Sequence, residues 1–224
     1  ARESGKFNKI KTLPYEGKET EFLGYIDIHS SSEILGMFRD GDEVEEIKKG
    51  GEAILILDKT PFYAESGGQV GDTGYIKTNS GKFNVRDTVK IKKNVFGHVG
   101  ILESGSLKCN EQVEVFIDEH RRNDIKRNHS VTHLLHKALK IVLGDHVEQK
   151  GSLVDNLKTR FDFSHSKSIS NEEIHQIESI VNNEILTNKM TTTQMMSIDK
   201  AKESGALMLF GEKYDSEVRV LNIG

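Results

Sequence analysis

The chain has no tryptophan, a single cysteine (Cys109) and only two prolines. One thiol excludes an internal disulfide and any zinc site built from several cysteines, and it agrees with a reducing, cytoplasmic compartment. Cys109 itself reads as a strand-edge thiol. No apolar run approaches the ~18 residues that a membrane-spanning helix needs, so no membrane partner is expected. An excess of basic charge is missing as well: the formal net charge is −4, with 29% charged residues. Capture of nucleic acid by global charge is therefore excluded, and only a local basic patch is left. The opening residues, Ala1-Arg2-Glu3-Ser4-Gly5-Lys6, lack both an initiating Met and the apolar core of a signal peptide. They read as the start of a fragment cut from a longer cytosolic protein.

What is present is enough for one large or two modest cores: 224 residues, 35% hydrophobic, with 20 glycines. Residues 1–20 are polar, rich in Lys and Glu, and read as a linker or the tail of an upstream domain. From Phe22 the pattern is short and alternating, with Phe22, Gly24, Ile26 and Ile28 on one face. Strands follow at Ile34 to Phe38, Val44 to Ile47, Ala53 to Leu57, Gly74 to Thr78, Phe83 to Ile91, Val95 to Leu102 and Val113 to Ile117. The run Ala53-Ile54-Leu55-Ile56-Leu57 is apolar throughout and should lie buried. Strands so closely spaced, with no helical pattern between them, predict a small antiparallel barrel or sandwich over residues 21–117, the β-barrel being the expected form.

Residues 118–224 change character. A helix starts with Asp118 as N-cap and stops at Gly144. Strand-like segments follow at Val147 to Val154 and Leu157 to Phe163. The capping box Ser170-Asn171-Glu172-Glu173 opens a second helix, whose apolar face is Ile174, Ile177, Val181 and Ile185. Thr191 to Met196 is a strand, Ser197 or Asp199 caps a short helix that Gly205 ends, and Glu217 to Ile223 alternates as a last strand. The whole is an α+β chain: a barrel, then a sheet covered by helices. Met190, Met195, Met196 and Met208 read as core filling.

The first helix carries Asn128-His129-Ser130-Val131-Thr132-His133-Leu134-Leu135-His136. At ~100° per residue, Val131, Leu134, Leu135, Ala138, Leu139 and Val142 make an apolar stripe, and His129, His133 and His136 cluster on the other side. Arg122, Lys126 and Lys140 project with the histidines. His129 and His133, four apart, can reach one metal ion, or they are solvated surface histidines. Ser130 stands where a zincin helix has its Glu, so that chemistry is excluded. Three further stretches stand out. Glu65-Ser66-Gly67-Gly68-Gln69 could seat a phosphate or nucleotide end on its backbone N–H groups, or be a tight hairpin turn. Arg160 and Asp162 alternate to one face of their strand and Phe161 and Phe163 to the other; the charged pair is a structural ion pair or part of a site. Gly205 to Tyr214 is a Gly-bounded hydrophobic segment.

Five motifs in the same order give the chain a resemblance to the editing region of alanyl-tRNA synthetases: Glu65-Ser-Gly-Gly-Gln69, His129-Ser-Val-Thr-His133-Leu-Leu-His, Gln149-Lys-Gly-Ser-Leu-Val, Arg160-Phe-Asp-Phe-Ser-His165 and Phe210-Gly-Glu-Lys-Tyr214. The resemblance covers nearly everything from Phe22. It implies hydrolysis of the ester in mischarged Ser-tRNA(Ala) and Gly-tRNA(Ala), with alanine and ATP handled by an upstream domain. It implies Zn2+ as cofactor, with His129 and His133 as two of four ligands. The other two, a Cys and a His in a Cys-Gly-Gly-Thr-His-like motif, are expected beyond Gly224, so this chain alone is expected to hold zinc weakly and to edit little. Gln149 matches a family position implicated in editing. Thr132 is a candidate for sensing a seryl hydroxyl, Arg160, Gly67 and Gly68 for contacting substrate, and Arg121, Arg122, Lys126, Arg127 and Lys140 for approaching tRNA phosphates. The alternatives are a non-catalytic tRNA-binding module or a free-standing aminoacyl-tRNA deacylase of the same fold. The threonyl-tRNA synthetase editing domain shares the metal scheme but not the Glu65 to Gln69 and Phe210 to Tyr214 stretches.

Overall fold

The computed structural model describes residues 13–206 and 216–223. They fall into two compact units that divide between Ile125 and Lys126, within the first helix of the described chain. The first unit carries strands β1 (Glu21–Phe22), β2 (His29–Arg39), β3 (Asp42–Glu43), β4 (Glu46–Lys48), β5 (Glu52–Leu57), β6 (Lys59–Thr60), β7 (Gly74–Lys77), β8 (Lys82–Lys92), β9 (Val95–Ser104), β10 (Ser106–Lys108) and β11 (Gln112–Ile117). Helix α1 (Glu119–Leu143) follows and runs on into the second unit.

Alternation turns one side of each long strand inward, and the pairing closes on itself. The order is β11-β7-β8-β9-β5-β2, every neighbour antiparallel, and β11 returns to β2 through Val113 opposite Ser32 and Val115 opposite Ser30. This is a six-stranded closed barrel. Closure removes the exposed sheet edges that an open antiparallel sheet would leave. Ile34, Leu55, Leu57, Phe62, Ile76, Phe83, Leu102 and Val115 fill its interior. A second cluster, Leu13, Tyr15, Phe38, Ile56, Ile91 and Val95, lies apart from it. Successive residues of β5 point to opposite faces, so its apolar run serves both clusters, Leu55 and Leu57 one and Ile56 the other, and all three are fully buried. The described end of the stretch expected to be a linker is therefore packed: Leu13 and Tyr15 are each only 5% exposed.

Residues 22–28 differ from the expected strand. Only Glu21 and Phe22 pair, with Lys59 and Thr60 of β6. The chain then turns back, Ile26 and Asp27 both donating to the Leu23 carbonyl, and Ile26 is left 90% exposed. A turn satisfied by its own backbone bonds overrides an apolar alternation that has nothing to pack on.

The second unit holds the rest of α1, then β12 (Gln149–Val154), β13 (Thr159–Phe163), α2 (Asn171–Leu186), β14 (Thr191–Ser197), α3 (Ile198–Glu203) and β15 (Glu217–Ile223). Among the described residues its strands make two antiparallel pairs, β12–β13 and β14–β15. α1 and α2 pack on the first pair through Leu135, Ala138, Leu139, Val147, Phe161, Phe163 and Ile177. Ser170 caps α2 as its sequence predicts: the hydroxyl accepts from the Glu173 N–H, and the Glu173 carboxylate accepts from the Ser170 N–H. Of the four apolar positions expected to bury, only Ile177 does; Ile174 and Ile185 are exposed. Met190 and Met195 are exposed too, contrary to the core role expected of them. Met208 and the motif Phe210 to Tyr214 lie outside the described residues. No helix among the described residues is long and apolar enough to cross a membrane.

Candidate functional site

α1 is fixed near the start of the second unit's share. The Asn128 amide donates to the Asp155 carbonyl in the β12–β13 turn, and the Asp155 carboxylate accepts from the Leu157 and Lys158 N–H groups to shape that turn. This brings Thr159 under the helix, where its hydroxyl meets that of Thr132 at 2.6 Å. Thr132 also donates back to the Asn128 carbonyl and is only 3% exposed. The buried face of α1 thus runs through Thr132, His136, Ala138 and Leu139. His136 is on it, not among solvent-facing histidines as the apolar stripe had suggested. His136 sits one helical position from the edge between the two stripes, and Phe161, at 5.0 Å between ring centroids, draws it inward.

His129 and His133 lie one above the other as spacing of four requires, their rings 5.1 Å apart and inclined by 17°. Burial, and then the neighbouring imidazoles of His129 and His136, push His133 down to about 4. It is neutral at physiological pH and offers a lone pair, the state in which imidazole ligates metal. The pair fits two positions of a zinc site. Among the described residues no group of three or more His, Cys, Asp or Glu side chains converges to hold a metal ion. Cys109 belongs to the first unit, half-buried, its thiol donating to the Val44 carbonyl and raised by burial and by Glu45 and Glu43.

Gln149 opens β12 opposite Phe163. Its side chain is 8% exposed and its Oε1 is buried with no hydrogen-bond partner. His136 Nε2 is in the same condition. Burial and the Lys140 charge lower the His136 imidazole, against the raising effect of its bond to the Val147 backbone. Such orphaned atoms are rare in folded proteins, and each calls for a physical reason.

The remaining expected site residues are distributed unevenly. Arg160 and Asp162 face outward and pair with each other, Nε lying 3.1 and 3.2 Å from the two carboxylate oxygens, both side chains exposed. That is the surface ion pair of the two readings. Gly67 and Gly68 lie in the first unit, between Ser66 and Gln69, which exchange backbone hydrogen bonds. Their φ values of 58° and 82° are those of a tight hairpin turn, a conformation glycine adopts without strain. Lys126 and Arg127 are exposed and Lys140 half-buried in the second unit. Arg121 and Arg122 belong to the first. Arg121 donates to the Gly71 carbonyl at 2.8 Å.

Arg122 corrects an expectation. Sequence reasoning placed it toward tRNA phosphates, yet its guanidinium is buried against Asp72 and also donates to the Gly24 and Pro61 carbonyls. A buried guanidinium held on both sides by a carboxylate and two fixed carbonyls is structural. Its partner lies 50 residues away, so no local pattern reveals it. A histidine pair also escaped the sequence: His146 Nε2 and His165 Nδ1 are 2.9 Å apart.

A family model described as "tRNA synthetases class II (A)" matches residues 2–121. The chain is similar to the alanine–tRNA ligases of Delftia acidovorans and Nitrosospira multiformis, each 52% identical over 224 residues, and to that of Neisseria meningitidis, 50% identical over the same length. In each case the match covers 100% of this chain and 26% of the relative. The chain therefore spans about a quarter of the length of the curated relatives it matches.

Proposed function

The chain belongs to the alanyl-tRNA synthetase family, within the class II tRNA synthetases, and from that premise we propose that its second unit is an editing site for mischarged tRNA(Ala). The substrates are Ser-tRNA(Ala) and Gly-tRNA(Ala), and the reaction is hydrolysis of the aminoacyl ester. A synthetic pocket discriminates poorly against amino acids that differ by one small group, roughly 1–3 kcal/mol per methylene, so a second hydrolytic site is chemically warranted. In the parent enzyme, charging of tRNA(Ala) with alanine at the expense of ATP belongs to the upstream part.

The observations that carry this reading are, within one unit, a stacked imidazole pair of which His133 is held neutral by burial, and a buried amide with an unpartnered oxygen. His129 and His133 would hold zinc as two of its ligands. When bound, zinc supplies Lewis acidity at the ester. Gln149 Oε1 accepts a hydrogen bond from the esterified ribose or from water, and its burial keeps that bond strong. Thr132 shapes the wall beside the seryl group through its hydroxyl pair with Thr159. Lys126, Arg127 and Lys140 approach tRNA phosphates, so binding should weaken steeply with salt.

The test is Gln149→Ala in the full-length enzyme. Deacylation of Ser-tRNA(Ala) should slow at least tenfold while alanylation is spared. Unchanged deacylation would refute the reading.

A further inference from the structure

We infer that His136 is a further substrate-positioning residue of this site, its Nε2 accepting a hydrogen bond from an O–H of the bound aminoacyl ester. The inference rests on the editing reading and extends it to a named atom. α1 carries the ring on its buried face, Phe161 lies against it, and its other nitrogen bonds the Val147 backbone. A bond that favours the protonated ring is one given to a carbonyl, which can only accept. The proton of the neutral ring is therefore on Nδ1, and Nε2 is left as a buried lone pair with no donor.

Gln149 Oε1 supports the same conclusion independently. Gln149 lies opposite Phe163, and Phe161 and Phe163 share a face of β13 by alternation. Both orphaned acceptors accordingly lie on the side of the β12–β13 hairpin that packs against α1. Apolar filling would leave both unsatisfied, whereas an O–H donor would not. The hydroxyl can be that of the seryl group or of the ribose.

The experiment compares His136→Phe and His136→Gln in the full-length enzyme, with Gln149→Ala in parallel. His136→Phe keeps a ring against Phe161 but removes the acceptor. It should lower kcat for Ser-tRNA(Ala) deacylation about tenfold, as expected for one lost hydrogen bond, with KM for tRNA retained. His136→Gln restores an acceptor and most of the rate. Loss confined to Ser-tRNA(Ala) identifies the seryl hydroxyl; equal loss on Gly-tRNA(Ala) identifies the ribose. On the wild-type 224-residue chain, 15N spectra of labelled histidine should show the Nδ1–H tautomer at His136. Full deacylation by His136→Phe, or a proton on Nε2, overturns the inference. If Gln149→Ala is slow while His136→Phe is not, the His136 inference alone falls; if both retain full activity, the editing reading falls with it. Should His136→Phe fail to fold, the tautomer and the His136→Gln rate decide.

Discussion

Arg122 and Asp72 form a buried ion pair that ties the first turns of α1 to the loop preceding β7. The guanidinium Nε lies 3.0 and 2.9 Å from the two carboxylate oxygens, and Asp72 also accepts from the Tyr63 N–H at 2.7 Å. Two further carbonyls, of Gly24 and Pro61, each take one guanidinium donor at 2.8 Å. Four separate stretches of the first unit meet at one side chain.

Breaking that pair from one side leaves the other charge buried and uncompensated. Asp72→Ala or Arg122→Ala should destabilise the first unit by about 3–5 kcal/mol, measured by urea unfolding. Asp72→Ala should be close to as damaging as the double variant. Full additivity of the two losses would show that the charges act independently.

His98 supplies a pH dependence. It is fully buried in the barrel; its Nδ1 donates to the Leu55 carbonyl at 3.0 Å and its Nε2 accepts from the Thr60 hydroxyl at 2.8 Å. Burial lowers it from 6.5 to about 4. Because the unfolded chain takes up its proton first, the stabilisation is complete above pH 6.5 and is lost as pH falls toward 4. Between pH 7 and 5 this group alone should remove roughly 2 kcal/mol. His98→Asn should start less stable at pH 7 but lose correspondingly less on acidification; identical pH slopes for the two proteins would contradict the assignment.

Gln149 sets stability against chemistry. Its Oε1 is desolvated without a partner, so Gln149→Met, similar in length and apolar, should raise the unfolding free energy by roughly 1 kcal/mol while abolishing the proposed editing. Thermal unfolding and Ser-tRNA(Ala) deacylation together read both effects. A clear loss of stability would mean that the amide is satisfied in solution.

Zinc binding should depend on both imidazoles. With His129 and His133 as the donors that meet among the described residues, the 224-residue chain should hold less than one equivalent after dialysis. His133→Ala should weaken binding at least tenfold in a chelator competition. Stoichiometric zinc that resists dialysis, or equal affinity in the variant, would count against this pair as ligands.

The motifs that carry the family resemblance were legible as residues in order, but their orientation was not. His129 and His133 follow from helix geometry alone, because positions four apart share a face whatever surrounds them. His136 was misplaced because it lies at the border between the polar and apolar stripes, and Phe161, 25 residues further on, decides which way it faces. Arg122 was misplaced for the same reason, since a helical wheel shows direction and not what waits there. Alternation identified the strands of the second unit without naming their partners, which among the described residues are β12 with β13 and β14 with β15.

Local rules therefore settled what local physics controls. These include the barrel's alternating strands, the Ser170 capping box and the spacing of the histidine pair, each governed by bonds or periodicities within a few residues. Tertiary structure alone decided where long-range partners meet. It closed β11 onto β2, packed Leu13 and Tyr15 beside Phe38, buried Arg122 against Asp72, and left the Gln149 and His136 acceptors without donors. Burial and pairing across tens of residues depend on which surfaces exclude water together, and a single chain's pattern carries no record of that.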